Sequence, residues 1–142
     1  MFHDVVDAPG EHTPEELYER YHTELRAAIE SHGVDRIAAD SGVDEASIRA
    51  LLNDDAPQLT LEEGSALLAV LDDTPDAETI AVLARDALLM GMTTAVLDVE
   101  AVESGVNGEL EAREIQSKVE GRFPMTLREF ALLHQFIESR KR

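Results

Sequence analysis

The chain has 142 residues, enough for one domain or for two small ones sharing a core, and 44% of them are hydrophobic, which excludes a disordered chain. Thirty acidic residues stand against twelve basic ones, a formal net charge of -18, and there is no cysteine, so disulfides, thiolate metal sites and cysteine nucleophiles are excluded. Aromatic residues make up only 4%, with no Trp, so the core must be aliphatic, which favours packed helices.

Residues 1–12 read as a flexible N-terminal arm, with no basic start and no apolar run of the kind a secretory leader needs. Thr13-Pro14-Glu15-Glu16 then opens a helix: Thr caps, Pro fits the first turn, and the acids meet the positive end of the dipole. Leu17, Tyr21, Leu25, Ala28 and Ile29 recur at helical spacing until Gly33. A short helix is expected over about 34–41, ended by Gly42, and another over about 45–53, opened by Asp44. Asn53-Asp54-Asp55-Ala56-Pro57 reads as a turn. Thr60 with Glu63 forms a capping box for the next helix, whose buried face carries Leu67, Leu68 and Leu71.

After a second break at Asp72-Asp73-Thr74-Pro75-Asp76, a helix over about 76–91 is apolar over a wide arc: Ile80, Leu83, Ala84, Ala87, Leu88 and Met90. That width predicts cover on more than one side, as for a spine between two halves. Met90-Gly91-Met92 reads as core packing at the helix end. Asp98 opens a short helix ended by Gly105, a longer one spans about 109–120, and Phe123-Pro124 breaks the chain. Thr126 and Glu129 form a further capping box before a helix with Leu127, Phe130, Leu133, Phe136 and Ile137 on one face. No segment alternates with period two, so no sheet is expected. The expected fold class is all-α, a multi-helix bundle of seven or eight helices, divided as 1–12, 13–75 and 76–142.

Residues 35–52 also carry a more specific pattern. Ala38 is small where a second helix must cross closely, and Gly42 follows four residues later where a turn needs positive φ. Ile37, Ile48 and Leu51 fill the apolar slots. With its flanking helices, the region 25–71 resembles the lambda-repressor/Cro-like helix-turn-helix domain. The second half echoes it: DRIAADSGVD at 35–44 resembles DVEAVESGVN at 98–107, pairing Ala38 with Ala101, Gly42 with Gly105 and Val43 with Val106. Ile48 pairs with Ile115, Leu52 with Val119, Pro57 with Pro124, and the capping boxes at Thr60 and Thr126 correspond. Glu100 falls in the slot of Ile37, a departure from the pattern.

The resemblance implies that the second helix of each unit touches a ligand, DNA in the family, and that the chain pairs as a homodimer. In the first unit only Arg49 suits a phosphate, since Asp44 and Glu45 lead that helix. The second unit offers Arg113, Gln116, Ser117 and Lys118, with Arg122 just beyond; Arg and Gln each make bidentate base contacts. Charge points the same way, because residues 113–142 hold seven basic and four acidic side chains on an otherwise acidic chain. The expectation is a non-catalytic regulatory protein that binds nucleic acid, with a protein-interaction scaffold or adaptor as the alternative reading.

Other constellations give way to plainer readings. His3, His12, His22, His32 and His134 lack the spacing of a zinc helix and read as surface residues. Asp72, Asp73, Asp76 and Glu78 lack the pattern of a calcium loop. No metal, cofactor or catalytic site is expected. The tail Arg140-Lys141-Arg142 reads as a cap on the negative end of the last helix. Many Asp and Glu, abundant Ala and only two Lys (Lys118 and Lys141) resemble the proteins of salt-loving archaea, whose molar salt screens such a charge. A cytoplasmic location without a membrane span is expected.

Overall fold

Most of the helices begin where the sequence supplies a capping oxygen, whereas those that start after Gly33 and Asp44 carry no side-chain cap bond. A computed structural model describes residues 1–53, 58–71 and 74–141, and among these every regular element is helical. The remainder of the 53–57 turn, Asp72, Asp73 and Arg142 lie outside the described residues. Helix α1 (Pro14–His32) starts on Thr13, whose hydroxyl accepts from Glu16 N at 3.1 Å while Thr13 N donates to the Glu16 carboxylate at 2.9 Å. The same reciprocal box opens α4 (Leu61–Leu68) at Thr60 and α8 (Leu127–Ser139) at Thr126. Asp76 and Asp98 each accept an N–H at 2.8 Å to start α5 (Ala77–Ala95) and α6 (Val99–Gly105). Each such cap stabilises its helix by about 1 kcal/mol. The other helices are α2 (Val34–Ser41), α3 (Glu45–Leu52) and α7 (Ala112–Val119).

The two halves run through like helices in like order. Helices α1 and α5 have 19 residues each, α2 and α6 have eight and seven, and α3 and α7 have eight each. They meet at an isolated antiparallel bridge that pairs Thr60 with Thr126. Leu61 N donates to Met125 O at 2.7 Å, and Leu127 N donates to Leu59 O at 2.9 Å. Equivalent capping residues thus face each other across a local two-fold relation. The packing follows the same rule: α4 of the first half lies on α5, α8 of the second lies on α1, and α4 meets α8. One continuous core results, centred on Tyr21, Leu25, Leu61, Ile80, Leu127 and Phe130.

The structure alters the pairing suggested by the sequence. Gly42 has φ 73° and reverses the chain after α2, but Gly105 is the last helical residue of α6. The positive φ angles of the second half belong to Asn107 (57°) and Gly108 (74°). The single buried residue of α2 is Ile37 and that of α6 is Val102. Gly42 and Asn107 each lie five residues beyond these, so the halves superpose with a shift of two from the sequence match. That shift accounts for Glu100 falling in an apolar slot. Gly105 is small for a different reason: a Cβ there would sit 2.0 Å from the Phe136 ring.

Three other expectations are corrected. Residues 1–12 are docked and do not form a free arm. Phe2 is buried edge-on against Tyr21, with ring centroids 5.3 Å apart, and Pro9–Glu11 forms a 3₁₀ turn packed on α8. Helix α5 runs four residues past Gly91, which is there because Ile137 presses against it; a Cβ would lie 2.7 Å from that side chain. Helix α7 starts at Ala112, because residues 107–111 are spent on the turn. Among the described residues no single helix is long and apolar enough to cross a membrane.

Candidate functional site

Helix α7 is held by its apolar face, with Ile115 and Val119 buried, and this leaves Arg113 and Gln116 exposed. Beyond it, Gly121 turns the chain at φ 80°, and Phe123 with Pro124 stands outward before Met125 returns to the core. Phe123 is 61% exposed and divides two open grooves. One, of about 350 Å³, is lined by Arg113, Ser117 and Lys118 together with Glu111 and Glu114. The other, of about 470 Å³, lies between Arg122 and the start of α5, where Ala81, Val82 and Arg85 line it. The structure therefore gathers Arg113, Ser117 and Lys118 on one side of Phe123 and puts Arg122 on the other. Gln116 lines neither groove, and Arg49 sits on α3 in the other half.

Ion pairing separates these cations. Lys118 Nζ lies 2.5 Å from Glu129 Oε2 and 3.8 Å from Glu114 Oε2, with only 16% of its side chain exposed. Arg122 lies 2.6 Å from Glu120, and Arg49 lies 2.6 Å from Glu45. Among the described residues Arg113 makes no ion pair. Arg85, which the sequence pattern does not single out, ties the site to α4: its Nε donates to Lys118 O at 2.9 Å and its Nη1 lies 2.8 Å from Glu62. The sequence marks Phe123 only as a helix break. The signal available was an aromatic in a Gly-Arg-Phe-Pro turn, outside any apolar periodicity.

The histidines divide as the sequence reading did not foresee. His22 and His134 are buried. His134 stacks on Phe130 at 5.2 Å, and its Nε2 is 3.1 Å from His3 O, which pins the N-terminal segment to α8. Burial holds the His134 imidazole below its ordinary pKa of 6.5, against the pull of Glu138. Burial alone pushes the Tyr21 phenol far above its ordinary value, and its hydroxyl has no hydrogen-bond partner among the described residues. No group of three metal-ligating side chains converges among the described residues. In the tail, Arg140 lies 5.1 Å over the Phe136 ring, and Lys141 pairs with Glu138.

These features define an all-helical protein with an exposed aromatic flanked by two grooves. Residues 17–140 match a family of unknown function (DUF5791), and the chain belongs to that family. No curated protein and no solved structure matches it.

Proposed function

We propose that the chain is a non-catalytic interaction module built on two lambda-repressor-like helix-turn-helix units, α2–α3 and α6–α7, and that its ligand at the α7–Phe123 surface is a protein. The observation that carries this is the state of the cations. Of the four proposed to touch a ligand, Arg49, Lys118 and Arg122 are each tied to a carboxylate of the chain itself. A phosphate backbone would have to displace those carboxylates and approach a chain of net charge -18. An outward Phe beside Pro, with a free Arg113 on its rim, is the make-up of a protein hot spot, where aromatic and Arg side chains dominate. In the grooves Lys118, Arg85 and Arg122 are engaged with carboxylates, and among the described residues no base is hydrogen-bonded to the Ser117 hydroxyl.

Nucleic-acid binding is the second reading, favoured by Arg113 and Gln116, which stand exposed on one short helix. Fluorescence anisotropy with labelled duplex DNA, at about 0.15 M and about 2 M KCl, separates the two. The protein reading predicts no saturable binding at either salt concentration. Saturable binding that is lost in Arg113→Glu would replace it with the second reading. On the positive side, a photo-crosslinking residue in place of Phe123 should capture one discrete protein in the native cell, and Arg113→Glu should weaken that band. A diffuse pattern unchanged by Arg113→Glu would count against a specific partner.

A further inference from the structure

The large hydrophobic side chains that the described residues leave exposed are Val82, Leu83, Leu89, Met90, Val96 and Phe123. All but Phe123 lie on α5 or at its C-cap, the helix expected to be covered on more than one side. Its inner face is buried through Ile80, Ala84, Leu88 and Met92, while Met90 is 68% exposed and Val96 89%. Apolar side chains gathered on one helix face mark an interaction surface, whereas scattered ones need no explanation. The fold does not demand this one. Helix α1 has the same length and the corresponding place in the first half, and it turns Glu16, Glu19, Glu24 and Glu30 outward.

Val96 adds an independent sign. It occupies the left-handed region at φ 57°, ψ 52°, where glycine ends a helix without penalty. A β-branched residue there costs roughly 1–2 kcal/mol. The conformation itself ends α5, with Val96 N–H on the carbonyls of Met92 and Thr93, but that cap does not call for a valine whose side chain stands in solvent.

We infer that the outer face of α5 is the interface of a homodimer, in which two copies of α5 pack antiparallel about the midpoint of residues 89 and 90. Charge and shape select a second copy of the chain as the occupant. In that register Leu89 meets the partner's Met90 across the two-fold axis, and Val82 falls within one residue of the partner's Val96. Asp86 is the one charge within the stripe, and it falls opposite the partner's Thr93, a hydroxyl, so no carboxylate faces another. Two chains of net charge -18 can then associate where each is nearly uncharged. The surface is self-complementary, as a two-fold interface requires. Of this face only Val82 also lines a groove beside Phe123, while Leu89, Met90, Thr93 and Val96 lie outside both grooves, so its failure would leave the protein-ligand reading untouched.

Sedimentation equilibrium of the full chain tests it, in about 2 M KCl and in about 0.15 M KCl. The expected species has twice the 15.6 kDa chain mass. Leu89→Asp should raise the dimer dissociation constant about tenfold or more while leaving the helical circular dichroism unchanged. Thr93 tests the register without touching the core: Thr93→Asp sets carboxylates against each other and should weaken the dimer. Thr93→Lys meets the partner's Asp86 and should hold or tighten it. A monomer at every concentration and both salts overturns the inference. So does a dimer indifferent to Leu89→Asp, or one that responds alike to both Thr93 changes.

Discussion

Helices α1 and α5 share a length and hold corresponding places in their halves, yet they turn opposite faces outward. The α1 face carries Glu16, Glu19, Glu24 and Glu30, with Arg26 drawn to Glu19 at 2.9 Å. The α5 face carries Val82, Leu89 and Met90 around a single Asp86. The inner faces share their place, since both are buried and both meet α4 and α8, although α1 adds Tyr18, Tyr21 and His22 to its aliphatic residues and α5 does not. Inner pattern follows the fold, and a fold repeated twice imposes it twice. Outer pattern answers to solvent or to a partner, so a departure from charge on one outer face only carries functional information.

Neighbouring leucines on α5 give the largest contrast. Leu88 is buried and Leu89 lies on the open face. Leu88→Ala should cost about 2–5 kcal/mol of folding stability in chemical denaturation. Leu89→Ala should cost under about 1 kcal/mol when measured on the monomer. Equal losses would mean that α5 is covered on both sides.

The glycines that end α2 and α6 sharpen the comparison of halves next. Gly105→Ala drives a methyl group into the Phe136 ring and should cost about 1–3 kcal/mol. Gly42→Ala meets no atom within 4 Å and should cost about 1–2 kcal/mol through backbone strain alone. An added Phe136→Leu should therefore relieve the first and leave the second unchanged. Relief of both, or of neither, would undo the distinction drawn between these two residues.

Val96→Gly should act in two directions: a gain of about 1 kcal/mol in monomer stability as strain is released, and a weaker dimer. A stability loss would contradict the strain assigned to that residue.

The smallest expected effect concerns pH. His134 is held neutral in the folded chain, so its protonation favours unfolding. Stability should fall as pH drops below about 6.5 towards its lowered native pKa, and His134→Gln should flatten that part of the profile. An unchanged slope in His134→Gln would remove the link between the imidazole and the docked N-terminal segment.

The sequence announces helices through their caps more clearly than it announces their surroundings. The Thr-x-x-Glu boxes at Thr13, Thr60 and Thr126 act over three residues and could be read directly. Gly91 and Gly105 could not: each looks like a terminator, and each is small because a side chain of α8 presses on it. The docking of Phe2 depends on space beside Gly64, whose Cβ position lies 2.9 Å from the Phe2 ring, a long-range fit with no local signal. At the candidate site the exposed Arg113 and Gln116 were legible from the α7 pattern. The pairing of Lys118 with Glu129 was not, because it joins two helices. The open face of α5 looked like core, since apolar content alone does not say whether a neighbour is present.

The absence of native cysteine allows a direct test of the comparison between α1 and α5. Met90→Cys and Glu24→Cys place a single thiol on one face or the other, each then exposed to mild oxidation in solution. The account predicts rapid disulfide-linked dimers from Met90→Cys, where the interface sets the residue beside the two-fold axis, and mostly monomer from Glu24→Cys. Equal cross-linking of the two variants, or none from Met90→Cys, would contradict it.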